Sequence, residues 1–320
     1  MMAIPGSLLE SSAMEPAAWS EVETLPARMP WRKLREEFID SVHSHFEMWI
    51  TPEQKHFATQ LSFAIGRFDE GMRLLLDLRR HILGRRDAEL RILDVGSGNG
   101  GLAFAFANDP RNKVYGIDVV PNPQAAYSKR RLSSPARFIV ADGAKLPVAS
   151  GSFDLVLLID VLEHLAEPLS VAREMMRVLR PGGFCVVVTP ARLAHIVRPD
   201  PHYGVRGLLM LPNGVQRWLV DEVFRRRIAT ATGGRAKAYD VTHTYWHAGE
   251  IARLFPEPKT VDVLYDRQFS PPPPSLRHWL EHPKAIVEWW RFRTRRFFFG
   301  HILVYRGCPA DGTPSYDRMR

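Results

Sequence analysis

The sequence predicts an α/β fold, a parallel sheet with helices on both faces. Three observations point there. From Leu90 onward, short apolar runs that read as strands alternate with helical segments. A glycine-rich loop follows the first of those strands and opens a helix. The chain has 320 residues and 45% hydrophobic content, enough for one full α/β domain with additions.

Residues 1 to about 30 carry Pro5, Pro16, Pro26 and Pro30 with little periodicity, so 1–50 is expected as a partly disordered extension. Between 53 and 68, Phe57, Leu61, Ala64, Ile65 and Phe68 recur at helical spacing. A second helix is expected over 71–83, giving a helical cap across 51–86. The core, 87–190, starts with the strand LRILDV and the helix GLAFAFAN. The strands KVYGID, RFIVA and FDLVLLI follow, then the helix PLSVAREMMRVL, the turn Arg180-Pro181-Gly182-Gly183 and the strand GFCVVVT. Past Pro190 the alternation stops, and 191–245 reads as an insertion rich in His, Arg and Tyr. Pattern resumes over 246–308 with a helix near AGEIARLF, a strand TVDVLY and a final strand HILVYR. Between those two strands, Pro271 to Pro274 predict a stiff extended connector ahead of an aromatic-basic helix. Residues 309–320 are a tail.

The formal net charge is +8, a balance that fits nucleic acid, an anionic membrane surface, an acidic substrate or simply a solvated face. Cys185 and Cys308 form neither a CxxC pair nor a disulfide framework, which points to a reducing compartment. The N-terminus lacks a signal-peptide pattern, and no apolar stretch is long enough to span a bilayer. The expected location is cytoplasmic, with peripheral membrane contact as an option.

The loop Asp94-Val95-Gly96-Ser97-Gly98-Asn99-Gly100-Gly101 lets the backbone turn sharply and approach a ligand closely. Read as Gly96, Gly98 and Gly101, it also fits the dinucleotide pattern G-x-G-x-x-G. Asp118, ending the second strand, suits ribose hydroxyls under either reading. Three further features separate the two. Asp94 precedes the glycines, where a carboxylate suits a cationic amino acid moiety and sits awkwardly beside a pyrophosphate. Asp142, after the third strand, can accept from an adenine amino group. A Pro-Gly-Gly turn stands directly before the fifth strand.

With these features, the segment from about 90 to 190 resembles the class I S-adenosylmethionine-dependent methyltransferases, in the small-molecule branch described as methyltransferase type 11. The matching stretches are ILDVGSGNG, VYGIDVV, ADGAKLPVASGSFDLVLLIDVLEHL and LRPGGFCVVVTP. The resemblance implies a Rossmann-like, seven-stranded, mostly parallel sheet of order 3-2-1-4-5-7-6 whose last strand is antiparallel. It implies S-adenosyl-L-methionine as cofactor, with Gly96, Gly98 and Gly100 shaping its loop and Asp94 near its methionine end. It places Asp118, with Val119 next to it, at the ribose, Asp142 and Gly143 beside the adenine, and Asp160 near the sulfonium and the acceptor.

Methyl transfer from a sulfonium is an in-line displacement in which the protein must align the two reactants. An oxygen acceptor also needs its proton removed, by a base or with a metal's help. If a helix starts at Asp160, then Asp160, Glu163 and His164 share one face and could hold a divalent cation. The competing expectation is no metal, with His164 packing locally or lining the acceptor pocket. Further candidate bases lie in the insertion, at His195, His202, His243 and His247, of which His202 and His243 are preferred beside His164.

The segment KAIVEWWRFRTRRFFFG sets Ile286, Val287, Trp290, Phe297 and Phe298 on one helical arc and Lys284, Arg291 and Arg295 on another. It reads either as a core-covering helix with a solvated face or as a contact for an anionic membrane or a lipid-linked acceptor. No N-P-P-Y-type motif follows the fourth strand, which lowers a nucleic-acid substrate. The expected activity is methyl transfer, first of all O-methylation, to a small-molecule, glycan or lipid-linked acceptor from a lid formed by 191–245. The alternatives are an RNA or protein methyltransferase, a non-catalytic S-adenosylmethionine-binding protein and, last, a nicotinamide dehydrogenase.

Overall fold

The computed structural model describes residues 16–49, 56–79, 89–189, 203, 205–224, 251, 254 and 301–306. The chain divides into two compact units, Met1–Val156 and Leu157–Arg320. Strand order through the sheet is β3-β2-β1-β4-β5-β6, where β1 is Leu90–Val95, β2 Asn112–Asp118, β3 Arg137–Val140, β4 Phe153–Ile159, β5 Leu179–Thr189 and β6 His301–Arg306. The first five strands form the parallel part, and β6 pairs with β5 antiparallel, Val187 opposite Leu303. The expected order is therefore met through its first five places, and the last strand among the described residues pairs antiparallel beside β5. The expected strand TVDVLY lies outside the described residues.

In the first unit, β1 is flanked by β2 in parallel register, Ile92 opposite Val114, and β2 by β3, Ile117 opposite Ile139. Helix α4, Gly101–Asn108, is buried along its whole length, as an apolar-all-round helix must be. Within 1–50, expected as a partly disordered extension, the described residues form two helices, α1 at Pro16–Val22 and α2 at Trp31–Trp49. Trp31, Leu34, Phe38, Ile39 and Val42 of α2 are buried; their i, i+3, i+4 spacing lines one face, and the prolines lie outside it. The two helices expected over 53–68 and 71–83 are one, α3, His56–Asp77. Gly71, inside this helix, sits at a close packing contact. A Cβ there would meet Leu102 Cα and Ala105 Cβ at 3.0 Å each, and one on Gly101 would meet Phe68 N at 3.0 Å. Each helix thus gives up a side chain where it crosses the other.

Phe38 stacks on Phe68 at 4.7 Å between ring centroids, and Phe104 closes the cluster from α4. Arg35 of α2 donates Nε and Nη2 to the two oxygens of the buried Asp69 carboxylate, at 2.7 and 2.9 Å, the two-pronged geometry that makes such a pair strong. Asn108, at the end of α4, clasps the chain ahead of α2: its carbonyl accepts from Arg28 N–H, its Oδ1 accepts from Met29 N–H and its Nδ2 donates to Met29 O. Helix α5, Pro123–Arg131, was not read from the sequence. Its start is marked by Asn122, whose side chain accepts from Ala125 N–H at 3.1 Å, with proline in the first turn.

In the second unit, α6, Pro168–Val178, buries Val171, Ala172, Met175 and Val178. Strand β5 begins at Leu179, so the expected Arg180–Gly183 turn falls within it, Gly182 holding a left-handed φ of 75°. Cys185 lies buried in β5, where loss of solvent pushes its thiol pKa up. The part of the expected insertion that is described is helical: α7 at Asn213–Trp218 runs into a wider turn at Leu219–Val223, over a cluster of Tyr203, Leu208 and Val220. Among the described residues no helix is long and apolar enough to cross a membrane.

Candidate functional site

The end of β1 turns into α4 through Gly96, Gly98 and Gly100, all in the left-handed region with φ of 77°, 47° and 80°. The turn is anchored from β2, where Ile117 O accepts from Gly96 and Ser97 N–H at 2.7 and 3.0 Å. Gly98 faces open space, whereas a Cβ on Gly100 would meet Phe138 Cζ at 2.8 Å and Phe104 Cε2 at 2.9 Å. So Gly98 is required by its backbone conformation, and Gly100 by the rings behind the loop as well.

Asp118 sits across from the loop at the end of β2. Its Oδ2 accepts from Gly98 N–H at 2.8 Å and its Oδ1 from Val120 N–H at 3.1 Å. One carboxylate therefore fixes both the glycine loop and the segment after β2. The next residue, Val119, is 68% exposed, an apolar surface beside the carboxylate. Asp142 closes an Asx turn after β3, its Oδ1 accepting from Ala144 N–H at 2.8 Å, with Gly143 inside the turn.

Asp94 is the unusual member. It is 4% exposed, and its Oδ2 has no hydrogen-bond partner. Loss of solvent pushes its pKa up to about 7; the Arg67 guanidinium opposes the rise, and Asp118 and Glu70 add to it. A buried acceptor without a donor is costly. Arg67 and Glu70, on α3, were not singled out in the sequence. The only signal was their spacing with Phe63, at i, i+4 and i+7 of one helix face.

In the second unit, Asp160 follows β4 with a φ of 49°, a left-handed conformation rare outside glycine and asparagine, and its N–H donates to Val188 O at 2.8 Å. The helix expected to start here is a single 3-10 turn, Leu162–His164. Glu163 is buried and accepts from Thr189 Oγ1 at 3.2 Å, while His164 is exposed. The shared face that would unite Asp160, Glu163 and His164 is thus lost. Among the described residues no group of three or more His, Cys, Asp or Glu could hold a metal ion. His195, His202, His243, His247 and the aromatic-basic segment 284–300 lie outside the described residues.

Residues 93–187 match the family described as Methyltransferase domain. A curated relative from Mycolicibacterium gilvum (strain PYR-GCK), described as an uncharacterized methyltransferase, is 40% identical over 111 residues, 35% of this chain and 43% of that protein. One from Mycobacterium ulcerans (strain Agy99), with the same description, is 37% identical over 114 residues, 36% of this chain and 44% of that protein. The matched region thus spans less than half the length of these relatives. Among solved structures, a SAM dependent methyltransferase from Aquifex aeolicus is 24% identical with a TM-score of 0.31, covering 33% of this chain and 58% of that chain. The 1,6-didemethyltoxoflavin-N1-methyltransferase of Burkholderia thailandensis is 20% identical with a TM-score of 0.33, covering 56% and 66%. The strand order, rather than these superpositions, carries the fold assignment.

Proposed function

We propose that this chain, whose residues 93–187 belong to the class I S-adenosylmethionine-dependent methyltransferase domain family, transfers a methyl group from S-adenosylmethionine to a small-molecule, glycan or lipid-linked acceptor. The observation that carries the reading is Asp94: a buried carboxylate oxygen without a donor, beside a left-handed glycine loop. An amino-acid ammonium supplies both the missing hydrogen bond and the missing positive charge. A pyrophosphate would instead meet a carboxylate head-on.

The residues present fit the cofactor. Asp94 would take the ammonium, Asp118 the ribose hydroxyls, and the turn at Asp142 and Gly143 the adenine, with Val119 offering the ring an apolar face. The cofactor supplies an activated methyl on sulfur. For O-methylation, the transfer we favour, an acceptor hydroxyl oxygen bonds to the methyl carbon while the carbon–sulfur bond breaks. The bonding pair stays on sulfur, and the hydroxyl proton passes to a base. His164, His202 and His243 are the candidates for that base, and Asp160 is expected near the sulfonium and the acceptor. The lid would come from 191–245. We place the reaction in the cytoplasm, with peripheral contact to an anionic membrane for a lipid-linked acceptor; no resident metal is invoked.

Calorimetric titration with S-adenosylhomocysteine and, separately, NADH tests the reading. Saturable binding of the homocysteine compound alone is the expected outcome. Binding of NADH alone would return the loop to the dinucleotide reading.

A further inference from the structure

We propose that the end of the sheet where β1, β2 and β3 begin is a docking surface for single-stranded nucleic acid. Arg91, Lys113 and Arg137 hold its phosphates, and Tyr115 carries a base. The strand is bound there rather than methylated, because the glycine loop stands at the other end of β1, six residues or about 20 Å away.

Register places the four side chains. Arg91 of β1 is opposite Lys113 of β2, and Tyr115 of β2 is opposite Arg137 of β3, all in parallel pairing. Residues 113 and 115 are two apart on one strand and point the same way, so all four share one face. It is the face turned away from α4. Phe138, next to Arg137, points to the other side and meets Phe104 of α4 with ring centroids 5.3 Å apart. Arg91, Lys113 and Arg137 are exposed, and Tyr115 is half-buried. The Tyr115 ring stands edge-on to Phe153 of β4 at 5.6 Å, and the Arg137 guanidinium lies over it, 5.6 Å from its centroid. Ring and guanidinium are both planes on which a base can stack. Asp154 of β4 accepts from the Arg91 N–H at 2.6 Å and fixes where the row starts.

Charge selects the partner. The last turn of α5 adds Lys129, Arg130 and Arg131, and the chain enters β3 six positions after Arg131 (137 − 131). Cations at that helix end also answer the dipole of α5. Arg91, Lys113 and Arg137 lie on strands, which have no comparable dipole. Glu89, just before β1, forms an ion pair with Lys113. The hydrogen bond and charge of Lys113, with Arg91 adding to them, hold the Glu89 carboxyl below its usual range. Such a surface attracts a polyanion. A bilayer is the less suited one, because elements that lie on membranes join cations to apolar side chains. The exposed Val119, Val120 and Val140 stand instead at or just past the far ends of β2 and β3.

Fluorescence anisotropy of a labelled oligouridylate of about 12 nucleotides, titrated with the full chain, tests the proposal. Affinity should fall by about 50- to 300-fold between about 50 and 200 mM salt, as expected for roughly four to six phosphate contacts. A strand variant combining Arg91→Gln, Lys113→Gln and Arg137→Gln should bind at least about tenfold more weakly. Its log–log salt slope should be shallower by about 2, or about 0.7 for each lost contact. Tyr115→Leu should weaken binding by about 5- to 150-fold, and Tyr115→Phe should keep it, since a phenyl ring still stacks. A control that removes three exposed charges elsewhere, Lys145→Gln, Arg173→Gln and Arg206→Gln, should stay within about twofold of wild type. Equal weakening by that control would reduce the effect to net charge and overturn the proposal, as would absence of oligonucleotide binding at low salt. A strand variant that loses binding to phosphatidylserine vesicles but keeps the oligonucleotide would also overturn it and make the partner a membrane. Should Tyr115→Leu fail to fold, the strand variant decides, since its three positions are exposed.

Discussion

Asp94 meets two opposed demands. Its burial raises its pKa from 3.8 to about 7, so the ionised form costs folding energy, while the proposed role asks for that form. The sign follows from linkage. A carboxyl raised on folding contributes most below its unfolded pKa, and that contribution is lost as pH climbs to about 7, then levels off. The gap corresponds to about 4 kcal/mol at most. Asp94→Asn should therefore raise the unfolding temperature of the ligand-free protein more at pH 8 than at pH 5. The same variant should weaken S-adenosylhomocysteine by about 1–3 kcal/mol. Loss of stability at pH 8 would contradict the burial argument. Asp118→Ala removes an acceptor for Gly98 N–H as well as the expected ribose contact. It should weaken binding by about 1–3 kcal/mol, and unchanged affinity would displace the ribose. The positions of Asp94, Asp118 and the glycines could be read because they fall in one strand–turn–helix–strand run, β1 to the end of β2; their roles toward the cofactor are what these variants test. The position of Arg67 could not, because its place depends on how two distant helices cross.

At the level of elements, the five parallel strands and α4 could be read directly, since buried strands are short apolar runs between turn residues. The errors share one cause. One helix was expected as two, over 53–68 and 71–83, because local propensity is blind to what a helix packs against. Gly71 is the place to check this. Gly71→Val should cost about 1–3 kcal/mol by overpacking against Leu102 and Ala105, seen as a lower unfolding temperature. It should also weaken S-adenosylhomocysteine, because α3 would be displaced from the loop. A stable variant with normal binding would show that the two helices tolerate separation. The expected face of Asp160, Glu163 and His164 failed because helical periodicity was assumed where the chain makes a 3-10 turn. Asp160 leaves β4 in a left-handed conformation, and three residues are too few to restore a common face.

For the whole molecule, the net charge of +8 is the property that composition gives but no single element explains. If the acceptor is lipid-linked, the protein should sediment with phosphatidylserine vesicles at low salt and be released as ionic strength rises, since screened charges stop attracting beyond about 10 Å at 0.1 M salt. Sedimentation that ignores salt, or none, would argue for a soluble acceptor. Acceptor identity was not legible in the sequence for a physical reason. Cofactor binding uses backbone conformations that demand particular residues at fixed spacing, whereas an acceptor pocket needs only complementary shape and a few polar groups brought together from distant positions.

The mutual surrender of side chains at Gly71 and Gly101 makes α3 and α4 a matched pair. Exchanging the first 86 residues for a cap from a relative would replace only one half of that fit, and a donor with alanine in the crossing position would hold the helices apart. Variation in this chain is therefore expected to be joint at positions 71 and 101, where α3 crosses α4. A library of this chain should vary those two positions together or leave both intact.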